Sequence, residues 1–476
     1  MEQWGCGIMD SRVQTFFNRL QGKQVAFCGI GGSNLPLVKM FAEHGALVRA
    51  CDRRQREQLG ETAEQLEALG AELCLGEDYL KNLDVDMIFR TPGMRFFTPE
   101  LDLARKEGRS VTSEMEIFFD LCPCKIYGVT GSDGKTTTTT ILSKLLEAAG
   151  KTVHLGGNIG KPLLPEITSI GPDDVAVVEL SSFQLISMRK SPDVAIITNL
   201  SPNHLDIHKD MTEYVEAKKN IVRHQNAFSC TVVNADNAIA AGFAEEARGQ
   251  VRGFSRRRPQ AYGAWLRQDG MIMFGKDTEI MPASEIKLPG MHNVENYLAA
   301  ISAIWGEVDV RSIRQVASTF SGVQHRMELV RELNGVKYYN DSIGTSPTRT
   351  ISGTLSVYPE KIILLAGGYD KHLPFDELGC AIADKVKLVI LMGQTADKIE
   401  ESILAAPNYK PGLPEIVRAE GMEEAVRMAY EAAKEGDVVS LSPACASFDQ
   451  YSSFEVRGFH FKQLVNSLPA GKKKEE

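Results

Sequence analysis

The chain has 476 residues, of which 43% are hydrophobic and 24% charged, and its formal net charge is −9. This composition is typical of a globular protein, and the acidic balance excludes a general nucleic-acid binder, which needs a basic face. No apolar run reaches the roughly 18–20 residues of a membrane helix, and residues 1–24 carry no hydrophobic signal-peptide core, so we expect a cytoplasmic protein that does not engage membranes.

The first segment alternates strand-like and helix-like runs. It predicts a strand over 24–28, a glycine turn over 29–34, a helix over about 35–44 and a strand over 47–51 that ends at Asp52. This order is the beginning of a parallel βαβ layout. The turn resembles a dinucleotide fingerprint with Asn34 at its third glycine position, and the same geometry serves the diphosphate and ribose of any nucleotide, including UDP.

Two further α/β units follow. The second predicts strands over 126–129, 175–180 and 194–198, with a helix that ends near residue 149. The third predicts strands over 361–366, 388–392 and 438–442. Continuous apolar strands of this kind suit parallel sheets covered on both faces. We therefore predict an α/β protein of three tandem open-sheet domains, at residues 1–122, 123–322 and 323–476.

The strongest chemical signal is the segment 130–137, Thr-Gly-Ser-Asp-Gly-Lys-Thr-Thr, between a predicted strand and a predicted helix. Backbone N–H groups at such a helix start favour phosphate oxygens. Lys135 is placed to reach the β- and γ-phosphates, and the Thr136 hydroxyl to bind Mg²⁺. A strict Walker pattern has glycine at position 129, where this chain has valine, so the loop is a variant.

Other residues could complete a metal–phosphate site. Glu179 ends a predicted strand at the carboxyl edge of the sheet, where open α/β folds bind ligands. His204 and His208 have the i, i+4 spacing that binds metals on a helix. No HExxH pattern is present, which excludes a zinc hydrolase of that type.

Taken together, the motifs resemble those of the Mur ligases over nearly the whole chain. The matching segments are residues 130–136, 156–160, 179–184, 199–208, 214–218, 290–296, 325–328, 340–342, 367–371, 442–450 and 454–458. The resemblance implies a Rossmann-like UDP-binding domain, a central P-loop ATPase-like domain and a Rossmann-like C-terminal domain that binds an amino acid. One departure is Ile343, where many members carry lysine, and Lys371, Arg326 or Arg349 are the candidates to supply the missing cation.

The resemblance also implies an activity. It is the ATP-dependent addition of D-glutamate to UDP-N-acetylmuramoyl-L-alanine through an acyl phosphate, in the peptidoglycan synthesis on which cell shape and division depend. The implied cofactors are ATP and two Mg²⁺ ions, and the implied state is a cytoplasmic monomer that binds small molecules.

The resemblance assigns roles to individual residues. The catalytic group is Lys135, Glu179, His204 and Lys218. The metal ligands are Thr136, Glu179, His204 and carbamylated Lys218. ATP contacts fall on Gly131, Ser132, Asp133, Gly134, Lys135, Thr136, Thr137, Asn293, Asn296, Arg326 and Asp341. Contacts with the UDP substrate fall on Gly32, Ser33, Asp52, Arg54, Asn158 and His204. Contacts with D-glutamate fall on Thr345, Lys371, Ser447, Phe448 and Phe454.

Three alternatives differ in class. Another ligase of the superfamily, such as a folylpolyglutamate synthase, should lack the 442–450 pattern, and a diamino-acid-adding Mur ligase should carry an Asp-Asn-Pro-type motif that is absent here. A catalytically inactive nucleotide-binding relative conflicts with the intact Lys135, Thr136, Glu179 and His204. A nicotinamide-dependent dehydrogenase lacks a hydride-transfer site, and NADH titration distinguishes it.

Overall fold

The computed structural model describes residues 11–202, 207–370 and 373–471. The chain forms two compact units that divide between Phe320 and Ser321. The first unit contains two parallel sheets and a small antiparallel one, and the second unit contains one mixed sheet. The predicted α/β class with three open sheets is confirmed, and the exact domain boundaries at 122 and 322 stay predictions. None of the helices in the described ranges has both the length and the apolar character needed to cross a membrane.

The first sheet is parallel, with strand order β3-β2-β1-β4-β5. Its strands are β1 (Gln24–Cys28), β2 (Leu47–Asp52), β3 (Glu72–Leu75), β4 (Met87–Arg90) and β5 (Ser110–Thr112). Its helices are α1 (Ser11–Asn18), α2 (Leu35–Glu43), α3 (Arg56–Leu59), α4 (Glu61–Ala68), α5 (Pro99–Lys106) and α6 (Glu114–Leu121). The strand order reverses beside β1, so the ligand crevice of this sheet opens where the predicted glycine turn lies.

The second sheet is also parallel, with order β11-β10-β9-β6-β8-β7. Its strands are β6 (Lys125–Thr130), β7 (Val153–Gly157), β8 (Val175–Glu179), β9 (Val194–Ile197), β10 (Cys230–Asn234) and β11 (Gln250–Phe254). The antiparallel sheet was not predicted and consists of β12 (Ala264–Leu266), β13 (Met271–Phe274) and β14 (Thr278–Pro282). The helices are α7 (Lys135–Ala148), α8 (Ser182–Leu185), α9 (Met211–Arg223), α10 (Ala238–Ala241), α11 (Met291–Ile304) and α12 (Val310–Thr319), with 3₁₀ turns at Leu164–Ser169, Gly242–Glu246 and Ala283–Glu285.

The second unit is built on a six-stranded sheet of order β15-β16-β20-β17-β18-β19, in which only the β15–β16 pair is antiparallel. Its strands are β15 (Glu328–Leu333), β16 (Val336–Asn340), β17 (Ile362–Ala366), β18 (Val386–Leu391), β19 (Glu415–Arg418) and β20 (Val438–Leu441). Its helices are α13 (Pro347–Ser352), α14 (Thr354–Val357), α15 (Asp376–Lys385), α16 (Ala396–Leu404), α17 (Met422–Ala432) and α18 (Phe454–Ser467). The predicted strands at 361–366, 388–392 and 438–442 are confirmed within one or two residues.

The first two sheets share a hydrophobic core. Phe118 of α6 and Leu164 of the 3₁₀ turn are both fully buried in it. Beside them, the Glu114 carboxylate accepts hydrogen bonds from the backbone N–H groups of Leu163 and Leu164, each at 2.9 Å. This carboxylate thus holds the segment that follows the 156–160 glycine loop.

Glu114 makes stability depend on pH. Burial raises the pKa of this carboxyl from 4.5 to about 7, against the opposing effect of its two backbone hydrogen bonds. A raised folded-state pKa means that the proton stabilises the folded form, so stability falls as pH rises from about 4.5 to about 7. We expect wild type to lose up to about 3 kcal/mol relative to Glu114→Gln across this window, at about 1.4 kcal/mol per pKa unit. Urea unfolding of both full-length proteins at about pH 5 and pH 8 measures the difference, and equal pH dependence of the two would contradict it.

Candidate active site

The phosphate loop lies between β6 and α7, as predicted. Gly134 caps the helix with φ +76°, and a Cβ there would lie 2.5 Å from Asn296 Oδ1, so only glycine fits. The half-buried Lys135 ammonium donates to the carbonyls of Gly131 at 2.9 Å and Ser132 at 2.8 Å. The N–H groups of the first turn of α7 have no intrahelical acceptors and carry the positive end of the helix dipole, which suits phosphate.

A buried carboxylate stands next to this loop. Glu179, at the end of β8, accepts from the Thr136 hydroxyl at 2.7 Å and from the Asn158 amide at 2.8 Å. Two oxygens bound side by side to one Mg²⁺ at about 2.0–2.1 Å are roughly 2.9 Å apart, so the Thr136–Glu179 pair fits that ion. Gly157 makes the approach possible, since a Cβ there would lie 2.2 Å from Glu179 O.

Lys218 lies on α9 and is buried beneath the phosphate loop. Its Nζ donates to Thr130 Oγ1 and to the Gly131 carbonyl, both at 3.0 Å. Burial, and then the charge of Lys135, lower the pKa of Lys218 well below its usual value. The fold therefore brings the two predicted lysines, which are 83 positions apart in the chain, to the same phosphate loop.

The two predicted asparagines lie on the first turns of α11, which packs on α7. Asn296 accepts from Thr138 Oγ1 at 3.1 Å and donates to Asn293 Oδ1 at 3.0 Å, and Asn293 donates to Pro289 O at 2.6 Å. Both side chains are buried. They lie beside the phosphate loop, where a nucleotide contact is feasible.

In the first sheet, Asp52 closes the glycine turn. Its carboxylate accepts from Ile30 N at 2.7 Å and from Arg54 Nε at 2.9 Å, and Arg54 Nη2 donates to Ile30 O at 2.6 Å. Burial acts to raise the pKa of Asp52, but the hydrogen bonds from Arg54 and Ile30 outweigh it and the pKa is lowered. Gly32 and Ser33 lie on the same turn and remain accessible to solvent.

In the second unit, Asp341 follows β16 and is buried. It accepts from Ser442 Oγ at 2.7 Å and Thr354 Oγ1 at 3.0 Å. Burial raises its pKa to about 6, and the charge of Arg326 acts in the opposite direction. Arg326 is flanked by His325 and Met327, whose φ angles of 62° and 42° are strained for non-glycine residues.

The predicted D-glutamate contacts of the described residues lie in segments that follow the carboxyl ends of β16 and β20. Ser447 is buried, Phe448 is 65% exposed, and Thr345 and Phe454 are half-buried. Asp341 N donates to Leu441 O at 2.7 Å, and Gly367 N donates to Pro443 O at 2.8 Å, so neighbouring loops are bonded to one another.

Comparisons with known proteins decide the family. A model of the Mur ligase middle domain matches residues 129–304, and a model of the Mur ligase glutamate ligase domain matches residues 325–445. The UDP-N-acetylmuramoylalanine–D-glutamate ligase of Acetivibrio thermocellus is 52% identical over 470 residues, covering 97% of this chain and 100% of that protein. The enzyme of the same name from Clostridium beijerinckii is 51% identical over 461 residues, with coverage of 97% and 100%.

The chain belongs to the Mur ligase family. It is therefore an ATP-dependent amide-forming ligase. The fold agrees: the crystal structure of UDP-N-acetylmuramate–alanine ligase from Thermotoga maritima superposes with a TM-score of 0.56 at 20% identity, covering 94% of this chain and 99% of that one.

Two predicted residues of this Mur ligase, His204 and Lys371, lie outside the described residues. Within the described ranges, no three His, Cys, Asp or Glu side chains form a metal-binding group. His208, whose i, i+4 spacing from His204 could bind a metal on a helix, precedes α9 and hydrogen-bonds to Ser182 and Glu213. Of the cation candidates near Ile343, Arg349 is exposed and, among the contacts of the described residues, donates to the Ile343 carbonyl at 3.4 Å.

Arg457 of α18 was not among the predicted site residues. Its buried guanidinium donates to Ser342 Oγ at 3.0 Å, Ser342 O at 2.9 Å, Ala446 O at 3.0 Å and Cys445 O at 3.1 Å. Burial lowers its pKa to about 10. It therefore ties together the loops of Ser342 and Ser447 and places a positive charge behind them. An arginine inside the matching 454–458 segment was the available signal, but only tertiary contacts show its role.

Proposed function

We propose that this Mur ligase joins the amine of D-glutamate to the free carboxylate of UDP-N-acetylmuramoyl-L-alanine, with ATP as the energy source. The observation that carries the proposal is the match over 97% of the chain, at 52% identity, to a relative named for that reaction. The phosphate loop and the buried Glu179 support the ATP-dependent step.

The chain's own residues have separable tasks in the phosphoryl-transfer step. The amides at the start of α7 hold the β- and γ-phosphates, and the Lys135 ammonium, now on loop carbonyls, exchanges these for phosphate oxygens. Thr136 and Glu179 would hold one Mg²⁺, and His204 with a carbamylated Lys218 would hold a second. When bound, these cations neutralise the negative charge that phosphates and carboxylate bring together.

The reaction then proceeds in two balanced steps. A carboxylate oxygen of the UDP substrate attacks the γ-phosphorus, and the bond to the departing ADP oxygen breaks to leave an acyl phosphate. The D-glutamate amine attacks the acyl carbon, and the tetrahedral intermediate collapses to the amide with release of inorganic phosphate and a proton. The protein accelerates both steps chiefly by positioning and by stabilising charge.

The remaining contacts are assigned by ligand. The turn with Gly32 and Ser33, closed by Asp52 and Arg54, binds the UDP end, and Asn158 lies near the reacting part of the substrate. Asn293, Asn296, Arg326 and Asp341 bind the nucleotide of ATP. Thr345, Lys371, Ser447, Phe448 and Phe454 bind D-glutamate. We place the enzyme in the cytoplasm as a monomer that supplies peptidoglycan precursors.

The test is phosphate release from ATP by purified protein. We expect release only when UDP-N-acetylmuramoyl-L-alanine, D-glutamate and Mg²⁺ are all present. Release with L-alanine or a diamino acid in place of D-glutamate would keep the ligase and overturn the amino-acid assignment. No release with any amino acid would overturn the proposed function.

A further inference from the structure

His208 is a buried histidine with no proposed part in binding ATP, metal or substrate. Its Nε2 lies 2.9 Å from Ser182 Oγ, and its Nδ1 lies 2.9 Å from Glu213 Oε1. An ionised carboxylate only accepts, so Nδ1 carries a proton and donates to Glu213. Nε2 is then bonded to the Ser182 hydroxyl, so both ring nitrogens have a partner.

The two partners of His208 belong to different elements of the site. Ser182 begins α8, three residues after Glu179. Glu213 lies in the first turn of α9, five residues before Lys218. The imidazole therefore connects α8, which follows the proposed metal ligand Glu179, to α9, which carries the proposed metal ligand Lys218.

The faces of the ring add to this connection. The ring stacks on Phe183 of α8, with centroids 5.1 Å apart and planes 4° from parallel, and meets the edge of Tyr214 of α9 at 5.5 Å. Tyr214 in turn contacts Ser132 of the phosphate loop through its hydroxyl, at 3.0 Å, and Lys218 Nζ lies 4.9 Å from its ring centre. His208 thus joins α8 to α9 by its own contacts, and Tyr214 of α9 extends this connection to Ser132 of the phosphate loop.

We propose that His208 is a positioning residue for the ligase reaction, which fixes α8 against α9 and so sets the spacing between Glu179, Lys218 and the phosphate loop. The inference rests on the proposed function. It differs from a purely structural role, in which loss of the ring would lower stability but leave the turnover of correctly folded protein unchanged.

The experiment measures kcat per nucleotide-binding site, together with the Kd of a β,γ-imido ATP analogue with and without Mg²⁺. Loss of residues that orient metal ligands costs roughly 10- to 100-fold. We expect His208→Ala to lower kcat by about that factor and to reduce the strengthening of analogue binding by Mg²⁺ about tenfold, with metal-free binding unchanged. Ser182→Ala should lower kcat by about tenfold, and adding it to His208→Ala should have little further effect, since the two share one contact.

His154→Ala is the matched control, because His154 Nε2 lies 2.9 Å from Asp174 Oδ2, a comparable imidazole–carboxylate contact, and Asp174 precedes β8 at the end opposite Glu179. It should alter stability alone. If His208→Ala does not fold, the kcat values of His208→Gln and Ser182→Ala test the inference. Because glutamine can still reach Ser182, we expect His208→Gln to be more active than Ser182→Ala. A kcat within about threefold of wild type for His208→Ala or, failing that, for Ser182→Ala overturns the inference. Absence of D-glutamate-dependent turnover in wild type would instead overturn the proposed function.

Discussion

Replacing Lys135 with alanine is expected to reduce D-glutamate-dependent phosphate release by about 10³-fold, the scale of loss when a preorganised charge at a phosphoryl-transfer centre is removed. The ammonium is held at the mouth of the phosphate loop by two backbone carbonyls. When ATP binds, the ammonium exchanges these carbonyls for phosphate oxygens, so its charge lies beside the phosphates before the reaction begins. Alanine removes the charge but keeps a good helix former at the first position of α7.

The control for this variant is Lys144→Ala. Lys144 lies on the same helix, is exposed and pairs only with Glu147 among its described contacts. Its loss should leave the rate within about twofold, because an exposed ion pair contributes about 0.2–1 kcal/mol to stability and nothing to the site. Retention of more than about a tenth of wild-type activity by Lys135→Ala would show that the loop positions phosphate through its backbone alone.

Glu179→Gln is expected to lower kcat by about 10²–10³-fold and to raise the Mg²⁺ concentration that gives half-maximal activity. The side chains are isosteric, and the amide oxygen can still accept from Thr136 or Asn158, so packing is preserved. The substitution removes the negative charge of a carboxylate that is almost completely buried. Electrostatic interactions are stronger in the protein interior than in water.

Magnesium titrations of initial rate separate this effect from misfolding. Binding of the ATP analogue without metal should be equal to or tighter than in wild type, since a carboxylate repels phosphate. Glu147→Gln on the exposed end of α7 is the matched control and should behave as wild type. An unchanged Mg²⁺ requirement in Glu179→Gln would remove Glu179 from the metal-binding group.

The sequence by itself determined the elements that carry the chemistry. Apolar runs bounded by glycine located β1, β6, β8 and β17 to within one or two residues, because burial on both faces selects continuous β-branched and aliphatic strands. The phosphate loop could also be located from the sequence. Its Gly134 has a positive φ, a backbone conformation that favours glycine over other residues. The antiparallel β12–β14 sheet escaped prediction because its strands, Ala-Trp-Leu, Met-Ile-Met-Phe and Thr-Glu-Ile-Met-Pro, lack the continuous run of β-branched and aliphatic residues seen in β8 and β17.

Only the tertiary structure decided which side chains meet. Thr138 and Asn296 are 158 residues apart, and Arg457 and Ser342 are 115 apart, yet each pair is hydrogen-bonded in the interior. The Glu114 carboxylate and the imidazole of His208 likewise find their partners on other elements. Local propensity fixes where a strand or helix begins. Partners for buried polar groups depend on how those elements pack, because a buried donor or acceptor must be satisfied by whatever the fold brings beside it.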